Sequence, residues 1–211
     1  MKDAGLFLQQ AGLKSLGFDP GPLDGIPGAR TAAARAAWEA SLTPATAGSI
    51  AHRLVDFAKA DLWIRETEGK NQGDGIAKYW PATTYPDGYQ DRQPYCAAAV
   101  CYWVREAVAK AAVPFTLPTT AKAFLLEQWA KRNAGKGVVF IGKGDPLEPG
   151  DIIIWEFSHA SVVEARCPRG SGVVQTIDAN TSLDSGNNEG GGVFRRSRSR
   201  TLIRSVIRIT H

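Results

Sequence analysis

The stretch Pro149-Gly150-Asp151-Ile152-Ile153-Ile154-Trp155-Glu156-Phe157-Ser158-His159-Ala160-Ser161-Val162-Val163 decides the fold. Its first three residues carry turn chemistry, and the apolar run that follows has the length of a buried strand. A short turn then opens a second, β-branched run at His159. Working outward, the same reading predicts strands at Val138–Ile141, Asp151–Trp155, His159–Ala165, Val173–Ile177, Val193–Arg196 and Leu202–Ile209. Upstream the period changes. Residues 50–65 carry Leu54, Phe57, Ala58, Leu62 and Ile64 on one helical face, with Ser49 as the cap. Cys96 to about Lys110 and Thr119–Arg132 are also helical. Residues 69–95, rich in Gly, Asn, Asp, Pro and Tyr, read as a long loop with one short helix near Ile76–Trp80. Helices followed by a run of strands is the order of an α+β domain with a roughly six-stranded antiparallel sheet.

The N-terminal residues form a separate pattern. Leu6, Leu8, Leu13 and Leu16 give a helical spacing over residues 4–17 that stops at Gly17. Asp19-Pro20-Gly21-Pro22-Leu23-Asp24-Gly25-Ile26-Pro27-Gly28 is a structured turn region. Residues 29–41, Ala-rich with Trp38, predict a second helix. These observations divide the chain into a small helical module at 1–43, a linker at 44–48 and a larger domain at 49–211. So small a module buries little surface alone.

Composition excludes several classes. Of 211 residues, 44% are hydrophobic and 22% charged, which is neither a disordered nor a collagen-like chain. The longest uninterrupted run, Cys96 to Val104, spans nine residues, whereas a membrane helix needs about 20. The opening MKDAGLFLQQ lacks the apolar region of about 7–15 residues that a secretory leader requires. The expectation is a protein made in the cytoplasm and delivered by other means. The net charge of +4 gathers late, at Arg195, Arg196, Arg198, Arg200, Arg204 and Arg208. A polyanion partner fits that excess, but a solvated strand face explains it more simply.

Cys96 begins a helix in Pro94-Tyr95-Cys96-Ala97-Ala98-Ala99-Val100. A thiol there faces the positive end of the macrodipole and free N–H groups, which favour the thiolate. A lone cysteine is more often a small buried hydrophobe, and that is the reading for Cys101 and Cys167. Of the three histidines, His52 lies on a polar helical turn and His211 ends the chain, which leaves His159 as the candidate base. Thr176-Ile177-Asp178-Ala179-Asn180-Thr181 offers an orienting group: Asp178 and Asn180, two apart, share a face of an extended strand. The Cys96 N–H, Gln90 and Gln93 are candidate oxyanion donors. No His or Cys pair has zinc spacing, and Asp87 and Asp91 are too sparse for calcium, so neither metal nor cofactor is expected.

Cys96 opening an Ala-rich helix, Pro149-Gly150-Asp151 leading a strand, His159 opening the next and Asp178-Ala179-Asn180 closing another resemble the CHAP family, the cysteine, histidine-dependent amidohydrolases and peptidases of the papain-like superfamily. Glu66-Thr67-Glu68-Gly69-Lys70-Asn71 and Tyr95-Cys96 are similar to a bacterial and phage branch of it. The resemblance covers roughly residues 50–195. It implies a papain-like domain and cleavage of peptidoglycan, at the muramoyl–alanine amide or within the stem peptide. It makes Cys96 the nucleophile, His159 the base and Asp178 or Asn180 the orienter. The family more often has Glu at the position of Asp178. The segment Leu8-Gln9-Gln10, Leu16 to Gly25, Gly28 and Thr31 resembles the helical peptidoglycan-binding module of cell-wall hydrolases, which implies Asp24, Gly25 and Thr31 as wall-binding residues. Pro27 stands where that module usually has an aromatic.

The expected function is thus a monomeric, endolysin-like peptidoglycan hydrolase. An injected antibacterial effector with the same chemistry, and a non-catalytic wall-binding or virion protein, are the alternatives. A nucleic-acid binder rests on the arginines alone, with only Phe194 interleaved among them.

Overall fold

The computed structural model describes residues 10, 13–14, 19–26, 28–34, 48–68, 70–183 and 191–210. Two compact units divide the chain, Met1–Pro44 and Ala45–His211. The predicted linker at 44–48 lies outside the described residues except for Gly48, as do most of the helix at 4–17 and residues 35–41 of the next.

In the first unit the side-chain amide of Gln10 organises the turn region. Its Oε1 accepts the backbone N–H groups of Asp24 and Gly25 at 3.1 and 2.9 Å. Its Nε2 shares two hydrogens among Asp24 Oδ1, the Ile26 carbonyl and Thr31 Oγ1, at 3.1–3.2 Å. Thr31 in turn donates to the Pro20 carbonyl at 2.9 Å. Such buried, fully satisfied networks fix one backbone path.

The second unit is α+β. Helices α1 (Ile50–Ala60), α2 (Cys96–Ala111) and α3 (Ala123–Arg132) precede strands β1 (Val138–Ile141), β2 (Ile152–Trp155), β3 (Ala160–Val163), β4 (Val173–Thr181), β5 (Gly192–Ser199) and β6 (Ile203–Ile209). The strands form one sheet in the order β1-β6-β2-β3-β4-β5, every pairing antiparallel. Ser49 caps α1, accepting the His52 N–H at 3.1 Å. α1 ends at Asp61, earlier than the sequence pattern suggested, and Leu62 and Ile64 pack from the following turn.

Strand β2 is apolar throughout because it is buried on both faces. Ile152 and Ile154 pack with the helices, whereas Ile153 and Trp155 join Leu147, Val163, Val174 and Val206 in a second core. The Pro149-Gly150-Asp151 turn locks this strand. Gly150 adopts φ +91°, and a Cβ there would stand 2.5 Å from the Ala51 carbonyl oxygen of α1. Asp151 is buried and accepts two bonds from the Arg208 guanidinium at 2.7 Å each. Among the described residues no helix is long and apolar enough to cross a membrane.

Most of the late arginines are committed within the fold, whereas Arg196 has a buried Nε without a hydrogen-bond partner. Arg195 pairs with Glu164, Arg204 with Glu127 and Arg208 with Asp151, while Arg200 donates to the carbonyls of Lys143, Asp145 and Pro168.

Candidate active site

Cys96 is the first residue of α2, and its helix is positioned by what precedes it. The Tyr95 hydroxyl donates to Glu66 Oε1 at 3.2 Å, and Glu66 Oε2 accepts the Asn71 N–H at 2.8 Å. Asn71 Nδ2 reaches the Arg92 carbonyl at 2.7 Å. The Glu66–Asn71 stretch therefore clamps the loop that delivers the cysteine. Tyr95 also stacks on Tyr79, whose hydroxyl donates to buried Asp61 at 2.9 Å, and Trp103 of α2 donates to the same carboxylate at 2.8 Å.

His159 follows a turn in which Ser158 takes φ 59° and Trp155 N–H bonds back to the His159 carbonyl at 2.9 Å. The ring is buried and stacks on Phe157, which stacks on Trp155. Its Nε2 lies 3.1 Å from Asp178 Oδ2. Nδ1 is then the ring nitrogen left for the Cys96 thiol, and thiol and imidazole each shift the other's ionisation.

The electrostatics favour a thiolate–imidazolium pair. Burial opposes ionisation of Cys96, but the His159 charge and hydrogen bond, with the backbone N–H groups of Ala160 and Ala97, outweigh it and lower the thiol pKa. Burial likewise opposes charge on His159, yet the Cys96 thiolate and the Asp178 carboxylate push its pKa up to about 9. Asp178 has no exposed side-chain surface. Burial alone would raise its pKa, while His159, Arg198 and Thr176 bring it down to about 2. Three donors converge on this carboxylate: His159 and Arg198 Nε at Oδ2, the latter at 2.6 Å, and Thr176 Oγ1 at Oδ1 at 2.5 Å.

Asn180 departs from the alternation expected of it. Its φ is 57°, and the β4–β5 register shifts between Ala179 and Thr181. A bulge re-aims the side chains that follow it, and the imidazole bonds to Asp178 instead. Asn180 is buried, with an Oδ1 that has no hydrogen-bond partner.

The structure does not bring Gln90 and Gln93 to Cys96. Both are exposed, and Gln93 Nε2 donates to the Asp91 carbonyl at 3.1 Å. The cause is local: Arg92 takes φ 52° and Gln93 N–H bonds to the Gly88 carbonyl, closing a turn that faces these amides outward. The backbone N–H of Cys96, which starts its helix and has no intrahelical acceptor, is the donor available beside the thiol. Cys101 and Cys167 are buried, and their thiols donate to the carbonyls of Thr120 and Val173. Among the described residues no group of three or more His, Cys, Asp and Glu side chains gathers as metal ligands would.

In the first unit, Gly25 and Thr31 are buried and bond inward to Gln10. Asp24 and Thr31, but not Gly25, border a cleft of about 270 Å³, also lined by Pro20, Pro22 and Arg30.

Sequence reasoning gave no role to Arg198, Thr176 or Phe157. For Arg198 and Thr176 the one signal in the sequence was Asp178 itself, since a buried carboxylate requires donors. Comparison with protein-family models, with curated proteins and with solved structures finds no match to this chain.

Proposed function

We propose that this chain is a peptidoglycan hydrolase that cleaves an amide or peptide bond of the bacterial cell wall through Cys96. The observation that carries the reading is the chain of contacts from Cys96 to His159 to Asp178, with the thiol on the first residue of a helix. The thiolate attacks the carbonyl carbon, and the oxyanion that forms lies beside the Cys96 N–H at the positive end of α2. His159, protonated at Nδ1, gives that proton to the leaving amine, and the C–N bond breaks to leave a thioester. Water then attacks the thioester. His159 takes its proton, and the thiolate departs with the new carboxylate released. Asp178 holds the imidazole by Nε2 throughout and stabilises its cationic form.

The choice of peptidoglycan rests on two resemblances at different places in the chain, the CHAP-like motifs around the site and the wall-binding-like pattern of residues 8–31. Amide-bond chemistry alone also fits an injected effector acting on the same polymer. Digestion of purified peptidoglycan, with mass spectrometry of the released fragments, tests the reading and identifies the bond. New stem-peptide amines or free lactyl carboxylates support it, and an unchanged polymer refutes it.

A further inference from the structure

We propose that Arg198 is a positioning residue for the Cys96–His159 pair: its buried guanidinium keeps Asp178 an ionised acceptor, and that fixes which tautomer the imidazole presents to the thiol. The inference rests on the hydrolase reading only where it concerns turnover. Arg198 Nε donates to the same Asp178 Oδ2 that meets His159, and its Nη2 donates to Thr181 Oγ1 at 3.3 Å. The guanidinium also lies 5.1 Å from the Phe157 ring centroid and 5.7 Å from that of Trp155. Phe157 stacks on His159 with 19° between the planes. One side chain thus touches both the group that orients the imidazole and the ring that backs it.

The consequence follows from proton inventory. A carboxylate accepts only, so His159 must donate from Nε2, which leaves Nδ1 as the nitrogen that takes the thiol proton. A buried carboxyl without a fixed cation takes up a proton and can donate instead. Nε2 would then accept, Nδ1 would carry the hydrogen, and the neutral ring could not act as a base toward Cys96. The charged and titratable groups around His159 are Cys96 from α2, Asp178 from β4 and Arg198 from β5, with Tyr95 coupled to Cys96 and Glu66 bonded to the Tyr95 hydroxyl. Of these, Arg198 is the one whose charge does not change across the working pH range.

The test is the pH dependence of iodoacetamide alkylation of Cys96 in the full chain, followed by mass spectrometry of the peptide that carries it. Arg198→Met should move the acid limb upward by about one pH unit or more, given that an arginine neighbour typically lowers a carboxyl pKa by about 1–3 units. Arg198→Lys, which keeps the charge and loses the fork, should return most of that shift. If the Met variant fails to fold, Arg198→Gln removes the charge while keeping a donor, and the same upward shift is expected. A neutral variant whose limb superimposes on that of the unsubstituted chain overturns the inference, whatever its melting temperature. An unsubstituted chain with a depressed limb that releases no peptidoglycan fragments instead refutes the hydrolase reading, and the Arg198 comparison still decides the positioning role.

Discussion

His159 and Asp178 meet on the diagonal of the sheet. Asp178 pairs in register with Ser161, yet its Oδ2 lies 3.1 Å from Nε2 of His159, two residues before Ser161. Asn180, two residues further along the same strand, has turned out of the ladder at a left-handed backbone position. Of the two residues that the strand alternation left open, Asp178 is the one whose side chain meets the imidazole.

An order of damage follows. Asp178→Ala should lower turnover more than Asn180→Ala, by about 10-fold or more, or about 1.4 kcal/mol in barrier. Asp178→Asn preserves shape but not charge, and separates loss of the acceptor charge from collapse around Arg198. Turnover of the three variants on one peptidoglycan preparation checks this. A more damaging Asn180→Ala would make Asn180 the orienter.

The pH dependence has a definite sign. The Cys96 pKa is lowered and that of His159 raised to about 9, so the ion pair exists between them. Activity should fall as pH rises through about 9, when the imidazolium loses its proton, and fall again on the acid side as the thiolate is protonated. Stability carries the same sign. The raised folded-state pKa of His159 contributes fully below its ordinary value of 6.5, and that contribution is lost as pH rises through about 9. Asp178, depressed to about 2 from 3.8, contributes above its ordinary value and loses that contribution as pH falls through about 2. Thermal melts and initial rates across the range read both effects.

Thiol reactivity should be confined to Cys96. Burial pushes the Cys101 thiol up to about 12, which leaves it protonated at neutral pH. Cys101→Ser and Cys167→Ser should retain activity, since a hydroxyl can replace each thiol as donor to the Thr120 or Val173 carbonyl. Iodoacetamide should abolish activity with one carbamidomethyl group, which peptide fragmentation places on Cys96 and not on Cys101. Modification of Cys101 at a comparable rate would contradict this.

Gly150→Ala should destabilise the domain by at least about 1–3 kcal/mol, from the positive φ alone. Contact with the Ala51 carbonyl adds to that cost, because backbone on α1 cannot give way as a flexible side chain can. A lowered melting temperature with the helical and strand signals retained is the expected result.

The sheet was legible where burial imposed composition. The Ile152-Ile153-Ile154-Trp155 run is apolar because both its faces are covered, and its position in the sequence located β2 and the hairpin to β3. Strands β4 and β5 run further than their sequence patterns. Asp178 and Asn180 carry turn chemistry, and Ser197 to Ser199 lie beyond the predicted strand Val193–Arg196, yet cross-strand pairing runs from Val173 to Thr181, with a register shift at Asn180, and reaches Ser199. Cys96 stood out in the sequence as a candidate nucleophile because a helix start changes thiol chemistry whatever surrounds it. Arg198 was not, because nothing local separates it from Arg195 or Arg196. Only the buried carboxylate it meets, twenty residues earlier in the chain, gives it a distinct role. The outward turn at Gln90–Gln93 was hidden for a related reason, since a left-handed Arg92 has no compositional signal.

The most direct test is fragment release from purified peptidoglycan by the unsubstituted chain and by Cys96→Ser at equal concentration. A hydroxyl has a far higher pKa than a thiol and does not form the ion pair with His159. The expected result is release of soluble fragments by the unsubstituted chain and none above background by Cys96→Ser, with matching melting curves. Undiminished release by Cys96→Ser would contradict the assignment of Cys96 as the nucleophile.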